Sequence, residues 1–283
     1  MTASRKRLEL GRHMIGKLRL RGLRGPLGKR MQEQDRPDAL EPDVVRLDDL
    51  PARVSAKAID GSFRHAPAEL RVPIEAQDCP GISFFGRHVK SLVFSTDLAI
   101  ICNCDADAVF AVYPFTCQPA ITQALVMASG RPVFTGVAGT TTTGVRSAAL
   151  AVQSEMQGAY GVIVNSPTSV EDIHMISRAV DIPLVLTIVT FDELVATKIA
   201  TGARVVNVAA GRNTPDVVRS VREHFGDIPI IASGGKDGES VRSTIDAGAD
   251  AITWVPPTMQ DLQRKLMDVN RAMGQADEPY SAA

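Results

Sequence analysis

From residue 92 onward the chain repeats a two-part punctuation: a residue plus proline ahead of one short apolar run, then Gly-Ala plus one residue ahead of the next. The first signal stands at Arg131-Pro132, Ile182-Pro183 and Ile228-Pro229, and the second at Gly158-Ala159-Tyr160, Gly202-Ala203-Arg204 and Gly248-Ala249-Asp250. Successive prolines lie 51 and 46 residues apart and successive glycines 44 and 46 apart, while Asp107-Ala108-Val109 echoes Asp250-Ala251-Ile252. The runs themselves are rich in β-branched residues and number eight: Leu92–Ser95, Val109–Tyr113, Val133–Val137, Gly161–Asn165, Leu184–Ile188, Val205–Val208, Ile230–Ala232 and Ala251–Val255. Most are followed by an amphipathic stretch, such as Thr142–Met156 or Thr214–Phe225. Continuously apolar strands are what a parallel sheet covered on both faces requires. Four (βα)2 units of this period close a barrel. The expected fold is therefore α/β, a (β/α)8 TIM barrel over residues 90–275 with an N-terminal extension. A doubly wound open sheet is the competing architecture, and it has no need of so regular a repeat.

The remainder of the 283 residues does not share the pattern. Residues 1–30 hold ten Lys or Arg against the single acid Glu9, so this arm carries +9 and everything after it −10, within a total of −1. Glycines interrupt its leucines, so residues 1–34 read as a mobile basic arm. An electrostatic tether for residues 1–30 to an anionic partner and a merely solvated tail both fit, because no aromatic residues interleave the charges. Residues 35–89 form an extension in which Arg53–Ile59 and Glu69–Ile74 flank the turn signal Asp60-Gly61, predicting a β-hairpin that packs on one end of the barrel. Residues 276–283 are a tail. No run of roughly 18 consecutive apolar residues occurs, and no secretory signal opens the chain, so no transmembrane segment and a cytoplasmic location are expected. Cys79, Cys102, Cys104 and Cys117 lack metal-finger spacing and read as reduced, structural thiols.

Barrels of this kind carry function at the C-terminal ends of their strands, so the strand assignment generates the candidate residues. The first strand ends in Ser95-Thr96-Asp97, the second runs into Tyr113 and Cys117, and the third into a loop from Gly139 to Gly144 with Thr140, Thr141, Thr142 and Thr143. Asn165, Thr187 and Asn207 follow at strands four to six, and beyond them Arg212, Ser233, Gly234, Gly235 and Lys236. Asp97 is the candidate general acid or base, with Tyr113 and Thr96 orienting a substrate; capping of the following helix is the alternative. Ser233-Gly234-Gly235-Lys236 offers backbone N–H groups and a cation to a phosphate, although a tight strand-to-helix turn would also explain the glycines. The threonine loop fits either an anion or sugar clamp or a helix cap. Asn165 and Asn207 are ligand contacts or satisfied polar layers inside the barrel. No histidine lies at a strand end, no Gly-x-Ser-x-Gly elbow exists, and Asp97 is the sole carboxylate at the expected mouth, which argues against a serine-hydrolase triad and a protein-built metal centre.

Val93-Phe94-Ser95-Thr96-Asp97, Val112-Tyr113-Pro114-Phe115-Thr116, Ile231-Ala232-Ser233-Gly234-Gly235 and Thr253-Trp254-Val255-Pro256-Pro257-Thr258 carry a resemblance as well. The barrel resembles the ribulose-phosphate-binding class, which includes phosphosugar epimerases, thiazole synthase and glycerol-responsive antiterminator barrels. It is more closely similar to a group of bacterial barrel proteins often called hydrolases. The resemblance covers about Lys90 to Arg271 and implies the fold and a phosphorylated ligand, although the prolines after strand eight depart from the phosphosugar class. The expected function is a metal-independent isomerase or lyase that uses no cofactor and acts on a small polar, phosphorylated metabolite. The alternative is a metabolite-binding barrel without turnover whose arm engages an anionic partner. Self-association as a homo-oligomer is left open.

Overall fold

The computed structural model describes residues 67–235 and 237–276; the basic arm, the Arg53–Ile59 stretch, Lys236 and residues 277–283 lie outside the described residues. Two short 3-10 turns, Ala68–Leu70 and Ile74–Asp78, lead into an antiparallel hairpin of β1 (Ile82–Phe84) and β2 (Arg87–Val89). Eight parallel strands follow: β3 (Ser91–Phe94), β4 (Ala108–Ala111), β5 (Val133–Ala138), β6 (Gly161–Val164), β7 (Leu184–Ile188), β8 (Val205–Val208), β9 (Ile230–Ser233) and β10 (Ala251–Trp254). They pair in chain order, and β10 returns to β3 through Ile252↔Ser91, closing the barrel. The helices between and after them are α1 (Leu98–Asn103), α2 (Pro119–Ser129), α3 (Gly144–Met156), α4 (Val170–Ala179), α5 (Glu193–Gly202), α6 (Thr214–Phe225), α7 (Gly238–Asp246) and α8 (Met259–Ala276). None of the described helices is long and apolar enough to cross a membrane. The expected TIM barrel is thus the observed fold.

Strand parity divides the apolar side chains into two sets, because successive residues of a strand face opposite sides. Leu92, Phe110, Phe134, Ile163, Val185 and Ile231 pack with one another inside the barrel. Their chain neighbours, such as Val93, Val109, Val162, Leu184, Val206 and Ile230, lie in separate clusters with residues of the surrounding helices. Carboxylates at the N-terminal ends of the strands hold the register. Asp107 accepts hydrogen bonds from the N–H groups of Lys90 and Ser91, and Asp250 from that of Ile230. The two echoing Asp-Ala motifs therefore do one job: each carboxylate, one residue ahead of its strand, gathers the backbone of the neighbouring strand. The Arg222 guanidinium adds a third grip, donating to Asp250 at 2.8 Å and to the carbonyls of Gly226, Ile228 and Gly248.

A hairpin packs on the barrel, but it is made of residues other than the expected pair, of which Arg53–Ile59 lies outside the described residues. Glu69–Ile74 is not a strand, since Pro67 and Pro73 each open a 3-10 turn at this point. Proline fixes φ and removes a ladder donor, which makes such a stretch a poor strand. The hairpin is β1–β2, turning at Phe85-Gly86, where Phe85 takes φ of 48° and Gly86 of 81°. Its Ile82, Phe84 and Val89 join the interior cluster, and the Phe84 ring meets Phe134 edge-on at 4.8 Å between centroids. Phe84→Ala should cost about 3–5 kcal/mol of unfolding free energy, the usual range for deleting a buried phenyl ring. Phe134→Ala should cost as much, and the double variant less than the sum because the two rings share a contact; urea denaturation of the three variants measures this.

Candidate functional site

One cleft opens at the C-terminal ends of β3 to β6, and the side chains of β5 explain why it is there. Past Phe134, β5 continues through Gly136 and Ala138, both of which line the cleft, and the register against β6 shifts between them. Small residues at these places leave the upper interior unfilled beside the larger Phe94 and Val112. The result is a cavity of about 560 Å³ lined by Phe94, Tyr113, Phe115, Cys117, Thr140, Thr141, Thr142 and Asn165, among others. Gly139 belongs to this design as well: a Cβ there would come within 3.0 Å of the Asn165 amide nitrogen, so a side chain would push Asn165 aside. Thr116 ties the two loops over the cleft, its hydroxyl donating to the Thr141 carbonyl at 3.4 Å.

The lining mixes apolar and polar groups and carries no charge. Among the described residues the Asn165 amide makes no hydrogen bond within the protein, while its backbone is pinned by Asn165 N–H to Ala138 and by Thr168 N–H to the Asn165 carbonyl. Thr142 is only 4% exposed and its hydroxyl has no partner among the described residues. An unsatisfied buried hydroxyl costs free energy, roughly 1–3 kcal/mol, and such a group beside a cleft is one a polar ligand can satisfy. The Tyr113 hydroxyl accepts the Gln118 N–H at 2.8 Å. Burial pushes the Tyr113 phenol above its ordinary value; the Gln118 N–H partly offsets this, and the adjoining Cys117 thiol adds to it. A phenol so placed keeps its proton at neutral pH and is a hydrogen-bond donor.

The structure gathers Tyr113, Thr140, Thr141 and Asn165 into this cleft and leaves the other expected residues elsewhere. Asp97 caps α1, its carboxylate accepting from Ala99 N–H at 2.9 Å and Ile100 N–H at 3.4 Å, and does not line the cleft; Thr96 is exposed beside it. Asn207 is a satisfied interior group: its amide donates to Thr187 at 3.1 Å and accepts from Thr253 at 3.5 Å. Arg212 is exposed on the 3-10 turn Gly211–Asn213 after β8. Ser233 ends β9, and Gly234 spends its N–H on the Thr253 carbonyl. Gly235 takes φ of 82°, a left-handed turn that favours glycine. Lys236 is outside the described residues. Where a phosphate would meet the N-terminus of α7, the Asp237 carboxylate already accepts from Ser240 N–H, which holds it below the usual carboxylate range. Among the described residues no three His, Cys, Asp or Glu side chains come together.

Phe94 and Phe115 in the lining were not singled out by sequence reasoning, and Cys117 was read as a structural thiol. Its place in the loop after the second barrel strand, four residues from Tyr113, had nonetheless put it among the residues at the expected mouth. No protein-family model matches the chain, and no curated protein does. Solved structures do. A protein of Burkholderia cenocepacia J2315, named provisionally as a lyase or mutase, superposes with a TM-score of 0.52 at 14% identity, over 67% of this chain and 88% of that one. Phosphonopyruvate hydrolase matches with a TM-score of 0.50 at 10% identity, and 2,3-dimethylmalate lyase, a member of the PEP mutase/isocitrate lyase superfamily, with 0.50 at 12%; each covers 68% of this chain and 84% of its own. At these identities the likeness establishes the barrel alone, and it gives no support to the ribulose-phosphate-binding class in particular.

Since Asp97 is committed to a helix cap, Asp97→Ala should lower stability by about 1 kcal/mol, and Asp97→Asn by less, because asparagine also caps. Urea midpoints of the two variants against the parent provide the comparison.

Proposed function

We propose that this protein is an isomerase or lyase acting on a small polar metabolite that carries a phosphate or carboxylate group, bound in the cleft at the ends of β3 to β6. The observation that carries this reading is the pair of polar groups in the lining, the buried Thr142 hydroxyl and the partly exposed Asn165 amide, that have no partner among the described residues. In this reading Asn165, Thr140 and Thr141 hold the substrate and Tyr113 donates a hydrogen bond to an oxygen on which charge develops. Arg212, exposed after β8 on the opposite side of the mouth, would draw in the anionic end. Three barrels of similar fold, at identities too low to carry an activity across, have names that speak of a lyase or mutase, a phosphonopyruvate hydrolase and a dimethylmalate lyase. Those names guide the choice of compounds to test.

A second reading, a barrel that binds such a metabolite without converting it while residues 1–30 engage an anionic partner, draws on a separate observation. No charged side chain lines the cleft, and the Asp97 carboxylate is taken up by α1. A thermal-shift screen of phosphorylated and carboxylate metabolites decides whether the cleft binds at all. A ligand present at 100 times its Kd should stabilise the fold by about 2.7 kcal/mol. Asn165→Ala should abolish the shift and Arg212→Ala should weaken it. Under the enzymatic reading, the compound that binds is also converted, with a rate unchanged by EDTA and by deletion of residues 1–30. Under the second reading it is bound and recovered intact.

A further inference from the structure

The cleft at the ends of β3 to β6 leaves two aromatic rings open to solvent. Phe94 is 37% exposed and Phe115 69%, and both belong to the lining. The Phe94 ring is stacked on that of buried Phe110, with 6.0 Å between centroids and 28° between planes, so it is a braced flat surface. Polar groups in the same lining are neutral. Thr142 buries a hydroxyl that has no partner among the described residues. The Asn165 amide, partly exposed, carries two donors and an acceptor that no described residue takes up. Nothing in the lining answers an anion: among the described residues no Lys or Arg lines the cleft. The first N–H of α3, beyond the threonine loop, already has a carboxylate partner in Asp172 at 2.9 Å.

We infer that the group seated in this cleft is an uncharged planar heterocycle with an amide-type edge, its face against Phe94 and Phe115 and its donor and acceptor on Asn165 and Thr142. The inference rests on the binding site proposed above and names what that site recognises; a phosphate or carboxylate of the same molecule stays outside the lining. Exposed aromatic faces favour a flat partner, because stacking adds to the gain from burying area. A side-chain amide is matched by another amide-type edge, donor to acceptor and acceptor to donor. A carboxylate in the same place would exchange its hydration for neutral groups alone, and would have no donor to give the Asn165 carbonyl oxygen. The cavity, about 560 Å³, is in the size range of small-molecule sites.

Matched probes test this on the full-length protein, with ligand-observed NMR for affinity and thermal shift for stability. Nicotinamide and nicotinate share a ring and differ in amide against carboxylate; cyclohexanecarboxamide keeps the amide and loses the flat ring; uracil and cytosine carry the amide edge within the ring. Nicotinamide is expected to bind about tenfold more tightly than nicotinate and several-fold more tightly than cyclohexanecarboxamide. Thr142→Val should weaken that binding by about tenfold yet leave the melting temperature of the ligand-free protein equal or higher, because valine keeps the shape and removes an unsatisfied hydroxyl. A threonine with a merely structural role would not separate the two readouts. Asn165→Leu should weaken binding as much, and Phe115→Ala several-fold. Failure of nicotinamide, uracil and cytosine alike to bind at about 10 mM, a preference for nicotinate, or affinity indifferent to either Thr142→Val or Asn165→Leu overturns the inference. The proposed binding site survives that result if a phosphorylated or carboxylate metabolite raises the melting temperature of the parent and not that of Asn165→Ala. Binding of glucose in place of the heterocycles overturns the planar ring and keeps the site.

Discussion

Closure of the strand ladder is the constraint from which the rest of this structure follows. Ile252 donates its N–H to the Lys90 carbonyl at 2.9 Å, the last strand meets the first, and no edge of the eight-stranded sheet is left to solvent. Burying both faces of a parallel sheet then requires an interior filled by one parity of side chain and a helical shell packed on the other. At the N-terminal end the filling is completed by Ile82, Phe84 and Val89 of the hairpin, brought in ahead of the first barrel strand. With the hairpin packed at that end, the cleft is found at the strand C-termini.

At that end the polar groups are divided between two uses. On the side of β7, β8 and β10, Thr187, Asn207 and Thr253 satisfy one another across the interior. On the side of β5, Gly136 and Ala138 withhold the volume that would fill the mouth, and the Asn165 and Thr142 side chains have no partner among the described residues. Several carboxylates near the mouth are spent on backbone: Asp97 caps α1, Asp192 caps α5 and Asp237 caps α7. Asp172, buried on α4, accepts the Gly144 N–H at the start of α3. A carboxylate engaged by two helix N–H groups is stabilised as an anion and turned toward its helix. This use of Asp, rather than a scarcity of acids in the chain, is what leaves the cleft uncharged.

Much of the fold was legible before any coordinates. The Xaa-Pro and Gly-Ala signals mark real boundaries: Leu184–Ile188 and Val205–Val208 match the expected strands residue for residue, and the others differ by at most two residues at either end. Local errors arose where a short pattern had two physical solutions. Glu69–Ile74 looks extended because it alternates, yet the prolines at 67 and 73 turn it into 3-10 geometry. Ser95-Thr96-Asp97 suits a catalytic carboxylate and a helix N-cap equally well, and capping is decided by the direction in which the side chain leaves the backbone. The glycines at 234 and 235 were read as an anion cradle, whereas the Gly234 N–H continues the ladder and Asp237 caps the helix beyond.

Sequence alone determined the barrel, because period, apolarity and turn chemistry are local properties that every unit of the chain repeats. It determined as well which end would carry polar groups, since those residues follow the strands. Only the tertiary structure decided which of them share a cavity. Residues such as Phe94, Cys117, Thr142 and Asn165 lie up to 71 positions apart and meet because curvature and register bring four strand ends around small residues on β5. A one-dimensional pattern records the direction of a side chain relative to its own strand, but the empty volume that makes a site belongs to several strands at once.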